Sequence, residues 1–160
     1  MEGTTNNKPQ TISMATINPY LTFNGNCELA FNFYKSVFGG DFPYVGRYKD
    51  MPATEGKIFS AKEADKIMHI ELPIHDETVL MGCDSSELLG GDSTIGNNIA
   101  LSIKAQSKDE ADRLFRGLSS GGQVQTPMSD TFWGSYFGMC TDKFGINWMV
   151  NFEAQSSEQQ

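Results

Sequence analysis

No apolar run in the chain approaches the roughly 18 residues a membrane-spanning helix needs. Cysteine is scarce: Cys27, Cys83 and Cys140 are far apart and share no CxxC spacing. An odd, scattered set argues against both a disulfide framework and a zinc finger, and it fits reduced thiols in a cytoplasmic protein. Histidine is scarcer still, with His69 and His75 alone. Positive charge is also short: 12 Lys and Arg stand against 20 Asp and Glu, a net charge of −8. A surface of that sign repels phosphate, so neither nucleic acid nor an anionic membrane is an expected partner. Apolar side chains, by contrast, are plentiful: 39% of the 160 residues are hydrophobic, with 11 Phe, 5 Tyr and 2 Trp. That is enough for a core and excludes a wholly disordered chain.

Residues 1–15 are polar and lack an apolar h-region, so they read as a loose tail and not as a signal peptide. Residues 154–160 read the same way. The stretch 85–96, SSELLGGDSTIG, interrupts the pattern with its glycines and serines and reads as an internal linker. It separates a first module, 16–84, from a second, 97–153.

The two modules match weakly but in the same order. Asn18-Pro19-Tyr20-Leu21-Thr22-Phe23 corresponds to Asn98-Ile99-Ala100-Leu101-Ser102-Ile103; Ala30, Tyr34 and Val37 to Ala111, Phe115 and Leu118; Gly39-Gly40 to Gly121-Gly122. Each copy opens with an alternating strand, with Leu21 and Phe23 on one face and Asn18, Tyr20 and Thr22 on the other. A helix follows. Ser107-Lys108-Asp109-Glu110 is a capping box before the apolar face Ala111, Leu114, Phe115, Leu118. In the first copy Asn26 is the expected cap and Leu29, Ala30, Phe33, Tyr34 and Val37 the face, with a glycine pair as the stop. Strands are expected at 43–48, 67–74, 78–83, 123–128, 132–141 and 146–152. Ile70, Leu72 and Ile74, and Trp148, Val150 and Phe152, should face the helices. Ser60 to Glu63 is a second capping-box pattern, expected on a solvated short helix. The fold class is therefore α+β: two βαβββ modules forming a curved mixed sheet whose concave side makes a pocket.

His69 and Glu71 stand at i and i+2 on a strand, opposite Ile70 and Leu72, and so share the face turned away from the helix. They suit a general base or acid with its orienting carboxylate, or equally a polar pair at the rim of a half-buried sheet. His75 is expected in a solvated turn. Cys83 shares the face of Met81. A thiol nucleophile needs a nearby cation or a helix N-terminus, and the local sequence supplies neither. Trp133, Tyr136 and Trp148 sit at spacings typical of core aromatics.

Several of these segments, taken together, resemble the PhnB-like branch of the vicinal oxygen chelate superfamily, which also holds glyoxalase I, the bleomycin-resistance proteins and the extradiol dioxygenases. They are Asn18 to Phe23, Ala30 to Tyr34, Phe38-Gly39-Gly40, His69-Ile70-Glu71-Leu72, Leu80-Met81-Gly82 and the run from Phe132-Trp133-Gly134 through Asp142-Lys143-Phe144-Gly145-Ile146-Asn147-Trp148. The resemblance covers nearly all of 17–152 and implies paired βαβββ modules in a homodimer. No glycine-rich S-adenosylmethionine loop follows the first strand, so methyl transfer is not read from the sequence. Metal-dependent relatives take ligands from the first and last strands of each module. The matching positions here fall near Asn18, Met81, Asn98 and Met149. Amide oxygens and thioethers suit no common divalent ion, so neither a metal nor another cofactor is expected. The resemblance implies a small-molecule-binding protein whose pocket is lined by Asn18, Tyr20, His69, Glu71, Met81, Asn98 and Met149. The alternatives are a glyoxalase-type lyase or isomerase using His69 and Glu71 or an atypical metal site, and a structural or protein-interaction role.

Overall fold

The computed structural model describes residues 15–52 and 58–154. The tails expected at 1–15 and 154–160 lie outside the described residues except for Ala15 and Ala154. Within them the chain runs β1 (Tyr20–Phe23), α1 (Cys27–Phe38), β2 (Tyr44–Arg47), α2 (Ala61–Ala64), β3 (Ile67–His75), β4 (Thr78–Asp84), β5 (Leu101–Lys104), α3 (Lys108–Ser119), β6 (Gln123–Asp130), β7 (Ser135–Thr141) and β8 (Asn147–Glu153). The strands form two four-stranded sheets, β1-β4-β3-β2 and β5-β8-β7-β6. The order is the same in both, with the first strand parallel to the last and the other pairings antiparallel. These are two βαβββ modules. Their sheets are separate hydrogen-bonded units in place of the expected single curved sheet.

The modules differ in how their helices start. In the second, Ser107 Oγ accepts the Glu110 N–H at 3.1 Å, and the Glu110 carboxylate accepts the Gln106 N–H at 2.7 Å. This is the capping box the sequence predicts, with the glutamate reaching one residue further back. In the first, the Asn26 side chain makes no cap bond. The buried Asp84 at the end of β4 does that work: its Oδ1 accepts the N–H groups of Gly25 and Cys27 at 3.0 and 2.9 Å, and its Oδ2 accepts that of Ile67 at 2.9 Å. A carboxylate at a helix N-terminus satisfies orphan donors and complements the helix dipole. Gly39 and Gly40, at φ 81° and 80°, end α1 in the left-handed region that glycine adopts cheaply.

One hydrophobic cluster holds both modules. Helix α1 is packed on two sides. Phe31 lies on its own sheet against Gly82, where a Cβ would stand 2.6 Å from the ring. Tyr34 and Phe38 pack instead on Trp148 of the second module, with ring centroids 5.6 and 5.7 Å apart. The expected face of α1 is therefore corrected: Phe31 is fully buried, while Leu29 is 67% exposed. A helix clamped from two directions needs a wider apolar stripe than one lying on a single sheet. Asp142, buried in the β7–β8 turn, links the modules further. It accepts the Tyr34 hydroxyl at 2.7 Å, the Trp148 indole N–H at 2.8 Å and the N–H groups of Phe144 and Ile146 at 2.8 and 3.1 Å.

Three local expectations change. Thr131 to Gly134 forms a turn before β7, so Phe132 is 98% and Trp133 59% exposed, not core. Tyr136 faces α3, donating to Asp112 at 2.6 Å. Ser60 makes no cap bond to α2, and Glu63 is buried, not solvated: it accepts from Ser86 Oγ at 2.6 Å and Lys66 Nζ at 2.7 Å. The adjacent Lys66 ammonium, then the Ser86 hydroxyl, hold its carboxyl below the usual carboxylate range. The connector at 85–96 is tied to the first module by these serines and by Asn24, whose side chain bonds both backbone groups of Ser93.

Candidate functional site

Because the helix-facing sides of both sheets close on one core, the other face of each sheet is turned from that core and left more open. The first sheet's open face carries Tyr20 and Thr22 from β1, Met81 and Cys83 from β4, His69 and Glu71 from β3, and Tyr44 from β2. Strand alternation dictates this set, since Leu21, Phe23, Ile70, Leu72 and Leu80 point to the core. Register then brings the polar groups together. Glu71 stands opposite both Met81 and Tyr44, and Tyr20 opposite Met81. The Tyr20 ring reaches across β4 to His69, with Oη 3.1 Å from Nδ1, and His69 Nε2 lies 3.0 Å from Glu71 Oε1. An ionised carboxylate only accepts, so Nε2 carries the proton toward Glu71, and Nδ1 is free to accept from the Tyr20 phenol. Burial, then the neighbouring Cys83, push the Tyr20 phenol's ionisation up, which keeps it a proton donor. The arrangement is a carboxylate–imidazole–phenol chain lying on a half-exposed sheet.

The seven candidate residues separate. Tyr20, His69, Glu71 and Met81 share the first open face. Asn18 is committed to the fold, its amide oxygen accepting the Val79 N–H at 2.9 Å. Asn98 is exposed in the loop before β5, not on a strand. Met149 lies on the other open face, opposite Ser102 and Met139. The repeat alignment of the first strands is therefore two residues off: with Met81 matched to Met149, Ser102 stands where Tyr20 stands. A slip of two preserves which face a side chain takes but changes its partner. His75 is exposed at the end of β3. Tyr44 was missed by sequence reasoning; its only signal was its place two residues before Gly46 in a short strand.

The residues at the ligand positions do not fit a divalent metal. Asn18 is occupied, Asn98 is remote, and the thioethers of Met81 and Met149 are soft and on different faces. Among the described residues, no three His, Cys, Asp or Glu side chains gather to hold an ion. Cys27 and Cys140 are buried, and burial pushes the Cys140 thiol up to about 11 and the Cys27 thiol further. Neither is poised as a nucleophile.

The larger hollows of the molecule lie elsewhere, between the modules. A cleft of about 710 Å³ runs from the end of β1 to residues 94–101 and the β7–β8 turn, touching Tyr20 and Asn98. Another, about 640 Å³, lies between Asn18, the β3–β4 hairpin, β5 and α3. Three of their polar groups serve the fold: Arg113 donates to the Val37 carbonyl, Glu110 caps α3, and Asn147 donates to the Ile99 carbonyl. The open face, with its ionisable chain, is the stronger site.

The model of the 3-demethylubiquinone-9 3-methyltransferase family matches residues 15–151. The chain belongs to this family. It shares its fold with PhnB, glyoxalase-related and bleomycin-resistance proteins. It is 39% identical to protein PA1353 from Pseudomonas aeruginosa, over 88% of this chain and 98% of that one, with a TM-score of 0.75. It is 24% identical to a Bacillus cereus PhnB protein described as a putative 3-demethylubiquinone-9 3-methyltransferase, over 86% and 99% of the two chains, with a TM-score of 0.67. A glyoxylase/bleomycin resistance protein/dioxygenase domain from Frankia sp. EAN1pec shares the fold at 12% identity, over 88% and 97% of the chains, with a TM-score of 0.58. The fold is that of the vicinal oxygen chelate proteins.

Proposed function

We propose that this family member is a metal-independent small-molecule-binding protein of the cytoplasm, acting as a homodimer. The observation that carries the reading is the Tyr20–His69–Glu71 chain, set beside Met81 on a half-exposed sheet face that a hollow of about 500 Å³ adjoins, with Tyr48 and the connector as its other wall. The donor chemistry of Asn18, Asn98, Met81 and Met149 supports independence from metal. The open face that each sheet keeps supports the homodimer reading. The first sheet of one copy set against the second sheet of another would give the Tyr20–His69–Glu71 chain a facing wall, and Met149 would then join the site from the partner. Free, mostly buried thiols suit a reducing compartment. Among the described residues no helix is long and apolar enough to cross a membrane. Methyl transfer gains no support, since β1 runs into Asn24-Gly25-Asn26 held by Asp84, not into a glycine-rich cofactor loop.

A thermal-shift screen of small molecules, run with EDTA and with Mn²⁺ or Zn²⁺, tests the reading. Hits should stabilise the wild type equally in both conditions and fail to stabilise His69→Ala. Sedimentation should give twice the 17.7 kDa chain mass. Hits that need the metal, or that ignore His69, would overturn it. The lyase or isomerase reading is favoured by one observation, the imidazole held between phenol and carboxylate in the manner of an acid–base relay. Consumption of a hit by the wild type but not by His69→Ala would decide for it.

A further inference from the structure

The open face of the first sheet has a marked charge character. Among the described residues its side chains are aromatic, apolar, thiol or hydroxyl except for His69 and the Glu71 carboxylate, and no Lys or Arg projects from it. Glu71 uses Oε1 toward His69, and no hydrogen bond to its Oε2 is seen among the described residues. Around it stand three π-systems. The Tyr20 ring stacks on His69 with centroids 5.5 Å apart and planes at 23°. The Tyr44 ring flanks His69 from β2, at 5.8 Å and 45°. Both tyrosines are about half exposed, at 47% and 46%. Tyr44 holds its place because of Gly46. Its phenol lies back over that glycine, with the hydroxyl only 2.6 Å from where a Cβ would be. A Cβ at 46 would force the Tyr44 ring to shift from this position. The cluster is thus a built aromatic wall with one carboxylate and no competing cation.

Ring faces carry the negative end of the aromatic quadrupole, and they attract organic cations most strongly where water is partly excluded. A carboxylate with a free oxygen beside them adds direct charge attraction. A net charge of −8 disfavours anionic ligands further. We propose that the open-face site selects an organic ammonium ligand, a quaternary or protonated amine seated against Tyr20, His69 and Tyr44 with its charge toward Glu71. This rests on the reading that the open face binds a small molecule, and it adds the ligand's class.

Three probes sharing a benzyl or phenyl ring test it: benzyltrimethylammonium, benzyl alcohol and benzoate. Each is titrated into the full chain, with binding read by calorimetry and by the His69 ring proton signals. Benzyltrimethylammonium should bind about tenfold more tightly than either other probe, the scale of a cation–π contact plus a nearby carboxylate. Glu71→Gln, which keeps the shape, should abolish the preference. Gly46→Ala and Tyr44→Ala should each weaken the cation several-fold, with unchanged sedimentation as the control for folding. Equal binding of all three probes, a preference for benzoate, or a cation preference that survives Glu71→Gln would each overturn the proposal. If the neutral or anionic probe moves the His69 signals at concentrations as low as the cation does, the open-face reading stands and only the charge class falls. If no probe moves them, both fall.

Discussion

The two modules share one strand order and carry different chemistry. On the first sheet's open face, side chains from different strands are bonded into a chain, Tyr20 to His69 to Glu71. On the second, the corresponding centre is Met149 between Ser102 and Met139. The helices differ in the same sense. Helix α3 is capped by its own Ser107, whereas α1 is capped by Asp84, from a strand more than fifty residues away in sequence. A duplicated fold constrains backbone and core far more than the faces it leaves open. The second module is built from local signals; the first depends on long-range ones.

The largest expected effect tests how the modules are joined. Asp142→Ala leaves the Tyr34 hydroxyl and the Trp148 indole N–H buried without their acceptor. It should cost about 3–5 kcal/mol in urea melts, the scale of breaking a buried charged network. A loss under about 1 kcal/mol would show that the modules hold together without it. Next, the two sides of α1 can be set against each other. Phe31→Ala should cost about 3–5 kcal/mol, and Leu29→Ala should stay within about 0.5 kcal/mol. Similar losses at both would mean that the helix is rotated from its described position. The caps come third. Ser107→Ala should cost about 1 kcal/mol, while Asn26→Ala should cost only a few tenths because its side chain caps nothing. The reverse order would erase the contrast between local and long-range capping.

The smallest effect concerns acid. In the first module Lys66, Arg47, Lys35 and Lys49 hold Glu63, Glu28, Asp41 and Asp65 below the usual carboxylate range. A depressed carboxylate contributes stability above its unfolded pKa, and that contribution is lost as pH falls through the folded value. The pairs are mostly exposed, so each contributes little. Below about pH 4, the reference range for free carboxylates, first-module amides should lose exchange protection before those of the second. Hydrogen exchange across that range gives the order, and earlier loss in the second module would remove this distinction between them.

Much of the architecture was legible because it is periodic. Alternation placed Leu21, Ile70 and Leu72 inward and His69 and Glu71 outward, and the Ser107 box marked the start of α3 within a residue. What escaped is what needs distant partners. Asp84 reads as an ordinary strand-end acid until the start of α1 is seen folded onto it. Leu29 and Phe31 are both apolar, and only the place of the first sheet, with Gly82 making room for the ring, decides which is buried. In the site, the shared face of His69 and Glu71 follows from period two. The Tyr20 contact does not, because it crosses an intervening strand. Tyr44 joins only through its pairing with Glu71.

Helix α1 has its own sheet on one side and the second module on the other, so neither half of the chain contains all of its own interior. A half-chain ending in the connector would present Tyr34 and Phe38 to water, and its complement would present Trp148. Global unfolding therefore takes both modules together, and an earlier acid loss in the first is local opening around its exposed ion pairs. A version split at Gly90, each piece fused to half of a reporter, would regain the reporter's signal only when the two pieces fold together.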